Sequence, residues 1–289
     1  MGLEGRHVGI VGLGLMGGSL AGRLTSWGRC ASVAAWDRDP SALDLGESMG
    51  LFSYRAPSLE RLTARSEVLI LAVPVELMVP VSLSAAPFGD GLEAVLDLSS
   101  VRGDLHRTLG RIWGKRHLGF HPMAGKETGG VDNASPDLVE GATIALVPGS
   151  DVDEKAVSLA EEMAALLGAS TLCMDPDEHD ETVAWISHLP MVLASALALG
   201  AGEAMERLPG ISKMAAGGFR DTSRVASGPS WLTASVLEHN EKLVPAIRRT
   251  VKILEAFIDA SPEEALRGAA RAARYREAVL AGPSKEETR

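Results

Sequence analysis

The sequence predicts an α/β chain, a doubly wound parallel sheet followed by an all-helical second domain. Three observations carry this prediction. Short apolar runs alternate with helical stretches up to about Asp175, and such β-α-β alternation implies parallel strands joined by crossover helices. A glycine-punctuated turn joins the first apolar run to the first helix. From Asp177 to Ala281 the strand signal ends and Ala, Leu and Glu dominate, punctuated by Pro190, Pro209, Gly217-Gly218, Pro229 and Pro262.

The elements follow in order. Val8–Val11 reads as a strand that enters Gly12, Gly14 and Gly17 and leaves as a helix. This is the G-x-G-x-x-G pattern of a Rossmann-type dinucleotide-binding unit. Gly12 permits the sharp turn, Gly14 lets backbone approach a pyrophosphate, and Gly17 lets the helix lie close to the strand. Leu13, Leu15 and Met16 complete the loop, and the N–H groups opening the helix complement phosphate. The next strand, Val33–Trp36, ends at Asp37. A carboxylate there accepts hydrogen bonds from ribose hydroxyls and repels a 2′-phosphate, so NAD is expected over NADP. Arg38 works the other way, because an arginine can pair with that phosphate.

Further strands are predicted at Val68–Ala72, Ala94–Asp97, His117–Phe120 and Thr143–Val147, with a short last one at Ser170–Met174. Helices are predicted at Val75–Ala86, Val101–Gly110 and Glu154–Gly168. Val73-Pro74, just after the third strand, is expected beside the ribose and nicotinamide. The composition change places a domain boundary near Pro176: a nucleotide domain over 1–176, a helical domain over 177–281 and a disordered tail over 282–289. Ser261-Pro-Glu-Glu264 is a strong helix start, with a serine cap, proline at the first position, then acids.

Composition excludes several classes. A net charge of −10 and the absence of a basic cluster argue against nucleic acid as a partner. Cys30 and Cys173 have no metal or redox spacing and sit in apolar runs, so buried thiols and no metal site are expected, in a reducing cytoplasm. The first strand begins close to Met1, which leaves no room for a signal peptide. The uncharged stretch Ile186–Gly202 is short for a membrane span and contains His188 and Pro190. It reads as a buried helix at a subunit interface. The many small residues in Leu193–Gly202 favour close helix packing and a homodimer.

Chemistry is expected at the C-terminal ends of the strands, where ligands bind in this architecture. His121 follows a strand and leads into a glycine-containing loop, a place where an imidazole can take a proton from a carbinol as hydride leaves. Ser100, after the preceding strand, could hydrogen-bond the same hydroxyl or orient the imidazole. His117, within or before its strand, fits a structural role. In the helical half, Pro190 of Ser187-His-Leu-Pro190 costs its helix about 3 kcal/mol, which freed backbone at a binding site is one way to offset. Arg220 and Arg224 are candidates for a forked pair with a substrate carboxylate.

Together these segments resemble the prephenate dehydrogenase family, which includes arogenate and cyclohexadienyl members. The motifs run in family order: Gly-Leu-Gly-Leu-Met-Gly-Gly-Ser-Leu20, Ser-Ser-Val-Arg102, His121-Pro-Met-Ala-Gly125, Glu178-His-Asp180, Ser-His-Leu-Pro190 and Gly-Gly-Phe-Arg-Asp-Thr-Ser-Arg224. The resemblance implies that His121 takes the proton of the substrate's ring hydroxyl with help from Ser100. It implies that His188 holds the substrate, that Arg224 pairs with a carboxylate, that Trp231 borders the site and that Asp221 orients neighbouring groups. The reaction implied is oxidative decarboxylation of prephenate with NAD, with arogenate as the alternative substrate. Two positions depart from the family pattern: Met191 stands where many relatives carry a second histidine, and Lys126 where a small or hydroxyl residue is frequent. Lys126 would add a cation for a substrate carboxylate. The chain length leaves no room for a fused mutase or a regulatory domain. A rival reading, a non-catalytic nucleotide sensor, would make Ser100, His121, His188 and Arg224 coincidental.

Overall fold

The computed structural model describes residues 2–281, so the expected disordered tail at 282–289 lies outside the described residues. The first half alternates as read. In chain order it runs β1 (His7–Val11), α1 (Leu15–Trp27), β2 (Ser32–Trp36), α2 (Pro40–Ser48), β3 (Tyr54–Arg55), α3 (Leu59–Arg65), β4 (Val68–Leu71) and α4 (Val75–Ala85). It continues with β5 (Ala94–Asp97), α5 (Gly103–Trp113), β6 (His117–Pro122), β7 (Thr143–Pro148), α6 (Glu154–Leu166) and β8 (Ser170–Cys173). The two-residue β3 has no sequence signal, because so short a strand has no periodicity to display.

The strands form one sheet in the order β3-β2-β1-β4-β5-β6-β7-β8. The first six are parallel; β7 pairs antiparallel to β6, and β8 parallel to β7. The reversal follows from the connection. Between Pro122 and Thr143 the described helix is one 3-10 turn, Val131–Asn133, whereas a parallel pairing needs a crossover, usually an α-helix.

Period-two alternation divides the core in two. Val8, Ile10, Val68, Ile70, Ala94 and Leu96 pack into one cluster, and Val11, Leu69, Leu71 and Val95 into the other. Successive side chains of a strand point to opposite faces, so each face of the sheet has its own core beneath its helices. The apolar runs β4 and β5 are therefore buried on both sides. Outermost β8 differs: all four residues are exposed, Cys173 included, while Cys30 is half-buried before β2. The expectation of two buried thiols is corrected for Cys173. An apolar strand at a sheet edge has a face with nothing packed on it.

The helical half continues with α7 (Pro176–Val183), a π turn at Ala184–His188 and α8 (Leu189–Met205). In the π turn the Leu189 N–H bonds Ala184 O, five residues back. Proline at position 190 has no N–H to give, and the irregular turn comes directly before it. Within one copy of the chain, Leu189 and Ala194 of the Ile186–Gly202 stretch are buried, while Ile186 is 53% and Leu199 68% exposed. By length and hydropathy, residues Pro176–Met205 pass as a membrane span; they also carry buried His179, Asp180 and His188. Next come α9 (Ile211–Met214), α10 (Gly217–Ser223) and α11 (Ser230–His239).

Contacts divide the chain after Leu243, later than the composition change at Pro176. The difference has a cause: α7 is hydrogen-bonded to His121 in β6 and to Arg102 at the start of α5, as described below. The second compact unit, from Val244, holds most of α12 (Leu243–Ile258) and α13 (Pro262–Ala281). Gly268 lets these two helices approach, since a Cβ there would lie 3.1 Å from the Phe257 ring. The expected start of α13 is a reciprocal capping box. Ser261 N–H donates to Glu264 Oε2 at 2.9 Å, and Glu264 N–H to Ser261 Oγ at 3.4 Å.

Candidate active site

The C-terminal ends of β1, β4, β5 and β6 share one edge of the sheet, because these strands are parallel neighbours. The glycine loop opens this edge. Gly12 has φ +93°, and a Cβ on it would lie 2.5 Å from Ala72 O. A Cβ on Gly17 would lie 2.0 Å from Gly12 O, whereas one on Gly14 would meet nothing within 4 Å. Gly12 and Gly17 therefore close the strand–helix turn, and Gly14 leaves open space where α1 begins without a side-chain cap. That opening, with unsatisfied N–H groups beside it, fits a dinucleotide phosphate.

Asp37 ties the tip of β2 to this loop. Its Oδ2 accepts the Leu13 N–H at 2.6 Å, and its Oδ1 the Asp39 N–H at 2.8 Å. The Leu13 side chain is buried, while Leu15 and Met16 are half-buried in the first turn of α1. Arg38 is exposed, and Val73-Pro74 lead from β4 into α4. Two variants separate folding from binding. Gly17→Ala is expected to destabilise the chain by about 1–3 kcal/mol through overpacking, read by urea unfolding. Gly14→Ala should leave stability unchanged and weaken nucleotide binding in a calorimetric titration; equal destabilisation by both would refute this division of labour.

Beyond β5 lies a buried charge cluster. Arg102 Nη1 contacts both Asp97 carboxylate oxygens at 2.8 Å, and His117 Nε2 lies 2.8 Å from Asp97 Oδ2. Arg102 also donates to the Ser99 carbonyl. Both partners of the ion pair are fully buried. The adjacent arginine and the His117 hydrogen bond outweigh burial and hold the Asp97 carboxyl well below the usual range. The expected structural role of His117 is this one. Ser100, half-buried, stands at the same strand end.

His121 lies one residue inside the end of β6, which runs through Pro122 rather than stopping at Phe120. It is 8% exposed. Its Nδ1 lies 2.9 Å from Nε2 of His179, so the imidazole is oriented from α7 and not by Ser100. His179 Nδ1 lies 2.9 Å from Asp180 Oδ1, which also accepts the Arg102 backbone N–H at 2.8 Å. Asn240 closes the group, with Nδ2 2.9 Å from Asp180 O and 3.0 Å from His188 Nδ1. Burial, reinforced by His179 and Arg102, pushes the His121 pKa well below its ordinary value. Burial likewise pulls His188 down to about 4, although Asp180 opposes it. Among the described residues, His188 Nε2 is buried without a hydrogen-bond partner.

Of the remaining candidates, Arg220 and Arg224 face an open cavity of about 380 Å³, whereas Lys126, Asp221 and Trp231 do not line it. Arg220, Arg224, Phe219 and Glu127 line it. Arg224, 63% exposed, is paired with Glu127. Lys126 Nζ donates to Asn133 O at 2.8 Å, so its cation is tied to the loop backbone. Asp221 and Trp231 are exposed on α10 and α11.

Residues 20–173 match the family described as prephenate dehydrogenase, nucleotide-binding domain, and residues 175–268 match prephenate dehydrogenase, dimerization domain. The chain belongs to the prephenate dehydrogenase family. It is 29% identical to the prephenate dehydrogenase of Bacillus subtilis over 80% of this chain, and spans 63% of that protein's length. It is 27% identical to the cyclohexadienyl dehydrogenase of Zymomonas mobilis, over 84% of each. The solved prephenate dehydrogenase of Aquifex aeolicus, in complex with hydroxyphenyl propionate and NAD+, is 27% identical with a TM-score of 0.83, covering 95% of this chain and 98% of that one. The Synechocystis arogenate dehydrogenase structure is 26% identical with a TM-score of 0.77 over the same shares. In family terms, Asp37, Ser100 and His121 lie in the span matched by the nucleotide-binding domain, and His179, Asp180, His188 and Asn240 in that matched by the dimerization domain.

Sequence reasoning missed the working partners of His121. Glu178-His-Asp180 was visible as a motif, yet nothing in it announces which strand end it meets. Asn240 has no local signal at all: its role rests on reaching residues 52 and 60 positions away.

Proposed function

We propose that the chain is an NAD-dependent dehydrogenase that oxidatively decarboxylates prephenate to 4-hydroxyphenylpyruvate, with His121 as its base. The observation that carries this is the placement of His121 at the strand edge shared with the glycine loop, kept neutral by burial. A neutral imidazole can accept a proton.

The chain's residues divide the work. Gly12, Gly14, Gly17 and Asp37 would hold the dinucleotide, which when bound takes the hydride from the carbinol carbon. His121 Nε2 takes the hydroxyl proton as that hydride leaves, and Ser100 assists at the same oxygen. The bond to the ring carboxylate then breaks, carbon dioxide leaves, and its electron pair completes the aromatic ring. The phenolate oxygen recovers the proton from His121, so no proton is gained or lost. Arg224 binds a substrate carboxylate after leaving Glu127, and His188 donates from Nε2. Asp37 supports NAD over NADP, through the charge it presents at the ribose.

A homodimer accounts for the apolar face of Pro176–Met205, where Trp185, Ile186, Leu193, Leu197 and Leu199 are exposed. The matched spans support a domain boundary near Pro176, and the cysteine pattern a cytoplasmic location. The test is absorbance of the reduced nicotinamide, with prephenate and arogenate each offered NAD and NADP. Turnover with prephenate and NAD is expected. Turnover with arogenate alone would keep the mechanism and move the substrate, and turnover with neither would overturn the reading.

A further inference from the structure

The hydrogen bonds around Asp180 and Asn240 fix more than position, because donors and acceptors must alternate along them. Asp180 Oδ1 accepts the Arg102 N–H and lies 2.9 Å from the His179 ring Nδ1. A carboxylate only accepts, so His179 holds its hydrogen on Nδ1. Neutral His179 then offers a lone pair at Nε2, and His121 must donate to it from Nδ1. Nε2 of His121 is left bare.

The other branch runs the opposite way. The Lys242 backbone N–H donates to Asn240 Oδ1 at 2.9 Å, which fixes which end of the amide is oxygen. Nδ2 is therefore the end that faces Asp180 O and His188 Nδ1. Since Nδ2 only donates, His188 accepts at Nδ1 and keeps its hydrogen on Nε2. One imidazole presents an acceptor and the other a donor.

We propose that His179, seated on Asp180, and Asn240 are positioning residues that hold His121 and His188 in opposite tautomers, an acceptor and a donor. This rests on the dehydrogenase reading above. A free neutral imidazole favours the Nε2–H form, which has no lone pair at Nε2 for a hydroxyl proton. The groups acting on His121 include Arg102, His179 and His188, which all disfavour its charge, and Asp97, which favours it. Asp180 reaches it through His179. When His121 takes the proton, its Nδ1–H bond to His179 is retained and Asp180 balances the charge. The logic is that of the buried aspartate in a serine-protease triad, where the wrong tautomer costs roughly 10⁴ in kcat.

The test has two arms on the full chain. Nitrogen-15 NMR of the histidine rings with NAD added, His121 being assigned by the signal lost in His121→Asn, should show Nδ1–H for His121 and Nε2–H for His188 at neutral pH. The kinetic arm compares His179→Phe, which keeps ring bulk without an acceptor, with His179→Gln, whose amide oxygen can accept. His179→Phe should lower kcat by about 100-fold or more with little change in KM and move His121 to Nε2–H; His179→Gln should recover most of both. His121 found as Nε2–H in the parent, or equal activity in the two variants, overturns the proposal. If the parent turns over neither prephenate nor arogenate, the functional reading has failed, and the NMR arm still decides the tautomers.

Discussion

His121→Asn is expected to lower kcat by about 10²–10⁴-fold, the usual contribution of a general base, while NAD affinity stays unchanged. Asparagine is the informative substitution. Its amide N–H can replace the ring Nδ1–H toward His179, so the hydrogen bond to α7 survives and only the proton acceptor is lost. The pH profile gives a second reading. The base works when neutral, and burial lowers the pKa of His121 from the ordinary 6.5. The neutral form therefore persists into more acidic solution than a free histidine allows. Activity should stay level as pH falls through 6.5 and decline only below it, provided the chain remains folded. Stopped-flow measurement of the hydride step checks this, and an acid limb at or above 6.5 would count against the buried base.

Arg102→Met should cost about 3–5 kcal/mol of stability, because it strands the Asp97 carboxylate in the core. The geometry leaves Asp97 little relief, since both it and the arginine are shielded from solvent, and only His117 and the Ser99 N–H would remain to compensate. Gly119 shows how tightly the guanidinium is enclosed: a Cβ there would lie 2.3 Å from Arg102 Nη1. Urea unfolding monitored by circular dichroism measures the loss. The double variant Arg102→Met with Asp97→Leu should recover part of it, as replacing both members of a buried pair by apolar groups often does. A single variant as stable as the parent would mean that the pair is not buried in solution.

Local signals were sufficient for the strands of the sheet other than the two-residue β3. Val8–Val11, Val68–Ala72 and Ala94–Asp97 were legible because a doubly buried strand is a continuous apolar run between turn residues. The direction of β7 was not legible, since Thr143–Val147 reads the same whichever way it pairs. At the site, His121 stood out by its place after a strand. His179 could not, because its value depends on a 2.9 Å hydrogen bond across 58 residues. Arg102 was seen in Ser-Ser-Val-Arg102 without a role, since burial of a charge is a tertiary fact. The exposure of Cys173 escaped for the same reason: composition reports that a residue is apolar, not whether something covers it.

The π turn at Ala184–His188 has an arithmetic consequence for how this protein can vary. An α-helix advances about 100° per residue, so the eight steps from Asp180 to His188 sweep about 800° and end roughly 80° out of phase. Asn240 nevertheless bonds both the Asp180 carbonyl and the His188 ring. The wider turn absorbs about one residue of rotation, which brings the two groups close to one face. The spacing between them is thus one residue longer than a regular helix needs, and the helix accommodates the extra residue by loosening once. Deleting a single residue between 184 and 187 would leave seven steps, about 700°, and a regular helix would keep both groups turned toward Asn240.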